Sequence, residues 1–194
     1  MSSIRSICVY CGSSLGVNER FREAATSLGR AMAAHKIRLI YGGGRIGLMG
    51  QVADAVLAAG GTAVGIIPEH LESREQGHRG LSELRVVRSM HERKNLMFEM
   101  ADAFVVLPGG LGTLDEAFEM ITWRQLHLHD KPILFADIDG YWASFAGLVD
   151  NIIQQGFARP DVTQHYLVTA DIDQVIPILL RQPAPTIPGE PRKF

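Results

Sequence analysis

Short runs of β-branched and other apolar residues alternate along the chain with longer stretches whose apolar positions recur every three or four residues. The short runs predict strands over residues 6–10, 38–41, 62–67, 84–87, 103–107 and 132–135. The longer stretches predict helices over about 18–35, 47–59, 89–100, 113–126, 141–155 and 172–181. Strands that alternate with helices make βαβ units, because parallel neighbours need a crossover between them. The expected fold is α/β, a Rossmann-like open parallel sheet with helices on both faces. Residues 1–182 are expected to form a single domain, followed by a proline-rich tail over 183–194 with too little apolar surface to fold alone. No internal repeat or interdomain linker interrupts the pattern.

This architecture predicts where a ligand binds, since open α/β sheets hold ligands outside the carboxyl ends of their strands. Three of those ends are glycine-rich: Cys11-Gly12-Ser13-Ser14, Gly42-Gly43-Gly44-Arg45 and Pro108-Gly109-Gly110-Leu111-Gly112-Thr113. Glycine lets backbone N–H groups approach an anion closely, and the helix that follows turns the positive end of its dipole toward it. A phosphorylated ligand is the natural inference, with Ser13, Gly43 and Gly44 among its expected contacts. The first loop lacks the G-x-G-x-x-G of dinucleotide binders, and no G-x-x-x-x-G-K-[ST] occurs. A mononucleotide or sugar phosphate therefore fits better than NAD or a nucleoside triphosphate.

Composition narrows the partners. With 194 residues, 46% hydrophobic, the chain can bury one sizeable core. A net charge of −2 gives no general pull toward nucleic acid or an anionic membrane, so an anion must be met by a local cluster of donors. The first residues lack the basic start and apolar run of a signal peptide, and no apolar stretch is long enough for a membrane span. A cytoplasmic location is expected. Cys8 and Cys11 form a C-x-x-C spacing, but on a strand, where positions three apart face opposite sides of the sheet. A redox pair would sit at a helix start and a zinc site would need more ligands, so neither is expected. His127 and His129 are read as surface or helix-end residues, and Phe118 and Trp123 as core or interface; no metal site is expected.

Two helix starts carry candidate chemistry. Ser89 and Glu92 have the spacing of a capping box, which places Arg93 and Lys94 just past the first turn. At 100° per residue Met90, Arg93, Lys94, Met97 and Met100 share one side, so Arg93 lies within an otherwise apolar stripe. Such a charge either snorkels to the surface or meets an anion, and the helix begins on the ligand edge. Thr113 and Glu116 repeat the T-x-x-E spacing. Either Glu116 reaches back to cap its helix, or it presents a carboxylate to a bound sugar or to water; one rotamer cannot do both.

The segment Pro108 to Glu116, read as P-G-G-x-G-T-x-x-E, together with Met90-His91-Glu92-Arg93-Lys94, resembles the LOG ("lonely guy") family of cytokinin riboside 5′-monophosphate phosphoribohydrolases and AMP hydrolases. The resemblance also takes in Tyr41-Gly42-Gly43-Gly44, Gly47-Leu48-Met49-Gly50 and Ile121-Thr122-Trp123, and runs from about residue 7 to about residue 157. It implies hydrolysis of the N-glycosidic bond of a purine nucleoside 5′-monophosphate, without cofactor, by Glu116 as catalytic carboxylate and Arg93 as its partner. Lys94 would stand beside them, and Gly109, Gly110, Leu111, Gly112, Thr113, Leu114 and Asp115 would line the phosphate and ribose pocket. Glu75 and Thr122 are further implied substrate contacts, and the short chain resembles the homodimeric branch.

Two other classes compete. A pyridoxal phosphate decarboxylase needs a lysine Schiff base, and of Lys36, Lys94, Lys131 and Lys193 only Lys94 is placed near the ligand edge. A non-catalytic nucleotide-binding or carrier module would use the same glycine loops. What separates it from a hydrolase is the joint presence of Glu116 and Arg93, which a phosphate binder does not require.

Overall fold

The computed structural model describes residues 4–72, 77–183 and 185–186. Within them lie β1 (Ser6–Tyr10), α1 (Glu19–Ala34), β2 (Arg38–Tyr41), α2 (Gly47–Ala58), β3 (Ala63–Pro68), α3 (Glu69–Glu72), β4 (Glu83–Val87) and α4 (Met90–Met100). Next come β5 (Ala103–Val106), α5 (Leu111–Gln125), β6 (Ile133–Ala136), α6 (Ala143–Gln154), β7 (Leu167–Thr169) and α7 (Val175–Leu180). The strands form one seven-stranded sheet in the order β4-β3-β2-β1-β5-β6-β7, and every pairing is parallel. The α/β expectation therefore holds. β1, β2, β3, β5 and β6 read as near-continuous apolar runs because a parallel sheet is covered on both faces. One face packs under α1, α2 and α7 around Leu28, Met32, Val52 and Leu179. The other packs under α4, α5 and α6 around Phe98, Met120, Phe135 and Phe145. Cys8 and Cys11 fall in opposite layers, both as free thiols.

The strand order reverses direction between β1 and β5, whose residues Tyr10 and Val106 are register partners. At such a switch point the two following loops leave in opposite directions and open a crevice. Here the Gly12 N–H donates to the Pro108 carbonyl at 3.0 Å, so the first and third glycine loops are joined at its floor.

Several expectations are corrected. β7 was not expected; it is three residues long, at the sheet edge, and held by pairing Leu134 with Leu167. The last helix is shorter than 172–181, since residues Ile172–Gln174 make a 3-10 turn first. His129 is a core residue rather than a surface one. The chain turns inward after α5, and the ring, 1% exposed, packs edge-on against Phe98 and Phe104. The tail is draped at its start, where the Thr186 N–H and hydroxyl both donate to Asp130 Oδ2 at 2.7 Å. Among the described residues no helix is long and apolar enough to cross a membrane.

Candidate functional site

α4 begins as its spacing requires. Ser89 Oγ accepts the Glu92 N–H at 3.1 Å, and Glu92 Oε2 accepts the Arg88 N–H at 2.9 Å, a reciprocal cap displaced by one residue from the ideal box. With the helix start fixed in this way, the next inward position is Arg93, 7% exposed. Its Nε donates to the Ile66 carbonyl of β3 at 3.2 Å, and Nη2 lies 3.6 Å from Glu116 Oε1. The arginine in the apolar stripe meets a carboxylate instead of snorkelling to water.

α5 begins three residues earlier than the capping-box reading places it. Gly110 is the N-cap, with no side-chain hydrogen bond, and Leu111 is the first helical residue. Thr113 and Glu116 are thus interior positions of the helix, and both are buried against the sheet side. Glu116 is not the reciprocal capping partner that the T-x-x-E spacing also allowed. The first N–H groups of α5, on Leu111, Gly112 and Thr113, have no carbonyl a turn earlier to bond, which makes this end an anion site by construction.

These elements enclose a cleft of about 190 Å³ lined by Val9, Cys11, Gly12, Ser13, Gly42, Met49, Arg93, Gly110, Leu111, Gly112, Thr113 and Glu116. Pockets for whole small molecules run to roughly 300–1,000 Å³, so this one matches a part of a nucleotide such as its ribose phosphate. A larger hollow of about 680 Å³ lies beyond Arg45, lined by Glu69, Glu72 and residues 77–80, away from Arg93 and Glu116. The buried ion pair and the helix N-terminus converge in the smaller cleft.

Of the residues singled out in the sequence, Arg93, Glu116, Ser13 and Gly110 through Thr113 meet in this cleft. Gly109 lies just behind it, close against Gly12 and Thr113. Lys94 turns aside: its Nζ sits 2.8 Å from Asp115 Oδ2 and 3.4 Å from Glu119 Oε2, binding α4 to α5. Burial disfavours its charged form, but its hydrogen bond to Asp115 and the charge of Glu119 outweigh this and raise its pKa. Leu114 is half-buried on the same helix, and Thr122 is exposed further along it, outside the cleft. Glu75 lies outside the described residues.

The second glycine loop and the helix that follows it are tied into the fold. The N–H groups of Leu48 and Met49, at the start of α2, point to the Gly12 carbonyl at 3.0 and 3.4 Å, so this helix end clamps the first loop. Gly44 bridges to Gly77, and the Gly43 carbonyl accepts the His78 N–H at 2.9 Å. His78 is itself held by Asp54 at 2.8 Å, so both described ends of the 69–80 segment, α3 and residues 77–80, are tied down or helical. Gly42 is the residue that the sequence reading passed over. A Cβ there would overlap Arg93 Nη2 and lie 3.1 Å from Met49 Sδ, so the missing side chain is the space that holds the guanidinium. Its place in a triple-glycine run was the visible signal, but its neighbour in space is 51 positions away in sequence (93 − 42).

Neither Lys94 nor Lys131 gives a seat for a Schiff base. Lys94 is held charged by two carboxylates, and Lys131 donates to the Phe98 carbonyl at 2.7 Å while lying over the Phe98 ring. An imine needs a neutral amine free to attack. Among the described residues no group of three or more His, Cys, Asp or Glu side chains is placed to hold a metal ion.

Residues 49–179 match the protein family described as "Possible lysine decarboxylase". The chain is 43% identical over 173 residues to a cytokinin riboside 5′-monophosphate phosphoribohydrolase of Rhodococcoides fascians, covering 89% of this chain and 87% of that protein. It is 46% identical over 159 residues to the Arabidopsis thaliana enzyme LOG3 of the same name, covering 82% and 74%. Among solved structures, the molybdenum cofactor carrier protein of Chlamydomonas reinhardtii superposes with a TM-score of 0.69 at 20% identity, over 92% of this chain and 99% of that one. The molybdenum cofactor binding protein of Rippkaea orientalis gives 0.67 at 19%, over 92% and 97%. At those identities the structural likeness speaks for the fold alone. The sequence likeness goes further, and the chain belongs to the LOG family, that of the cytokinin riboside 5′-monophosphate phosphoribohydrolases.

Proposed function

We propose that this chain hydrolyses the N-glycosidic bond of a purine nucleoside 5′-monophosphate, AMP or an N6-prenylated relative, to the free base and ribose 5-phosphate. The observation that carries this reading is the buried Arg93–Glu116 pair, 3.6 Å apart, at a switch-point cleft that also holds an open helix N-terminus. The phosphate sits at the first N–H groups of α5, with Ser13 and Gly110 to Thr113 around it. This brings C1′ toward Glu116, whose negative charge stabilises the oxocarbenium-like transition state and orients the attacking water. Water oxygen bonds to C1′ as the C1′–N bond breaks, and the electron pair of that bond leaves with the purine. A guanidinium does not release a proton at these pH values, so Arg93 acts by charge and hydrogen bonding, and the proton comes from the water by way of Glu116 or solvent.

Glu75, Gly43 and Gly44 are assigned to substrate contact, and Lys94, Leu114 and Asp115 to the support of Glu116. Thr122, exposed and outside the cleft, is assigned to substrate contact across our expected cytoplasmic homodimer; sedimentation would show a species of about twice 21.3 kDa. Incubating the protein with AMP, isopentenyladenosine monophosphate and adenosine, and following free base and ribose 5-phosphate by chromatography, tests the activity. Release from the monophosphates alone supports it. Binding of AMP without release from any of them would return the chain to the carrier reading.

A further inference from the structure

We propose that Tyr141 is a positioning residue for the anion loop: through its hydroxyl it holds the Gly109 carbonyl, and so turns the Gly110 N–H and the start of α5 toward the phosphate. The inference rests on the phosphoribohydrolase reading for the identity of the anion, and on geometry for the rest.

The tyrosine hydroxyl donates to the Gly109 oxygen at 2.6 Å. Burial does not force this bond. Tyr141 is 39% exposed, and water could satisfy the phenol. What fixes it is the turn before α6. Asp139 and Gly140 both adopt left-handed backbone, with φ of 53° and 72°. The Asp139 carboxylate accepts Asn18 Nδ2 at 2.7 Å and Arg20 Nη1 at 2.6 Å, which fastens the turn to the start of α1. From there the Tyr141 ring packs edge-on against Phe21, with centroids 5.3 Å apart. The phenol is thus aimed at the glycine loop from a fixed base.

The Gly109 carbonyl and the Gly110 N–H belong to one trans peptide, so they point in opposite directions. A carbonyl drawn toward Tyr141 sends the N–H away from Tyr141, and Gly110 is the residue whose other side lines the Arg93–Glu116 cleft. Behind the loop, on the tyrosine side, lies a hollow of about 180 Å³ bounded by Leu15, Phe21, Leu48, Tyr141 and the two glycine loops. A glycine peptide rotates easily, and this space leaves it room to do so. The hydroxyl of Tyr141 is the group that holds it.

The test is Tyr141→Phe, which removes one oxygen and keeps the ring against Phe21. Titration calorimetry with AMP, ribose 5-phosphate and adenosine, alongside kcat and KM for AMP, gives the readouts. We expect binding of AMP and ribose 5-phosphate to weaken about five- to tenfold, the scale of one hydrogen bond. Adenosine binding, kcat and the melting temperature should stay close to wild type. A merely structural tyrosine would lower the melting temperature and leave the AMP-to-adenosine ratio unchanged, and that result overturns the proposal, as does unaltered affinity for both phosphates. Should wild-type protein release no base from AMP, the function reading fails, while ribose 5-phosphate binding still decides the role of Tyr141.

Discussion

Replacing Gly42 by alanine adds a single methyl group, and the structure says where it goes. The new carbon overlaps Arg93 Nη2, lies 3.3 Å from Cζ and 3.1 Å from Met49 Sδ. Non-bonded carbon atoms rest at about 3.5–4.0 Å, so the guanidinium must retreat by upward of about 1 Å. It can do so, being the far end of a flexible side chain, and the fold survives. The retreat stretches the 3.6 Å approach to Glu116 and the 3.2 Å bond from Nε to the Ile66 carbonyl. Misplacing a catalytic group by about 1 Å costs on the order of 100-fold in turnover. We therefore expect Gly42→Ala to lose about that much kcat/KM for AMP, with a melting temperature only a few degrees lower, roughly the effect of one weakened buried hydrogen bond. The control is a double-mutant cycle: in an Arg93→Ala background the added methyl should change nothing further, because the group it displaces is gone. Turnover within about threefold of wild type, or equal losses in both backgrounds, would refute the argument that Gly42 acts by making room for Arg93.

Three more expectations follow from the same geometry. Glu116→Gln keeps the helix, which it does not cap, and should lower turnover by about 100-fold or more; near-normal rates would remove it from the chemistry. Both thiols are pushed up, Cys8 and Cys11 alike, chiefly by burial and then by the Glu116 charge, so neither should react with iodoacetamide in native protein although Cys11 lines the cleft. Rapid native-state labelling would show the cleft to be far more open than described. His129 Nε2 donates to the Met120 carbonyl at 3.0 Å while Nδ1 accepts the Lys131 N–H at 3.1 Å, so the neutral ring is doubly satisfied; burial, joined by the nearby Lys131 and Arg124 charges and opposed by the Met120 bond, lowers its pKa to about 4. With an unfolded value near 6.5, the fold gains from the neutral ring above about pH 6.5, and loses about 3 kcal/mol as pH falls toward 4. In urea unfolding the stability gap between wild type and His129→Asn should narrow as pH falls through that window, and a constant gap would refute the assignment.

What the sequence could and could not reveal follows from the range of each signal. The buried strands were legible because a two-sided sheet demands unbroken apolar runs, and that demand is local. β7 was not, since three residues, Leu167 to Thr169, half open to solvent, carry no period; they are a strand only because β6 is there to pair with. The start of α5 was misplaced for a related reason. Two glycines and a leucine read as loop, while the helix is in fact nucleated by Gly110 acting as cap with no side chain at all. That small displacement decided the role of Glu116, because a residue one turn further into a helix cannot cap it. Arg93 was readable as a charge in an apolar stripe, and its pairing with Glu116 only through the family resemblance, for nothing in the order of residues says that the helix after β4 and the helix after β5 meet. They meet because β1, with its own loop and the Gly12–Pro108 bond, stands at the switch point between the two halves of the sheet. The chemistry-bearing residue types are thus written locally, but their 3.6 Å approach is a property of strand order. The same holds for Gly42, just past β2, where only glycine leaves room for a side chain from α4.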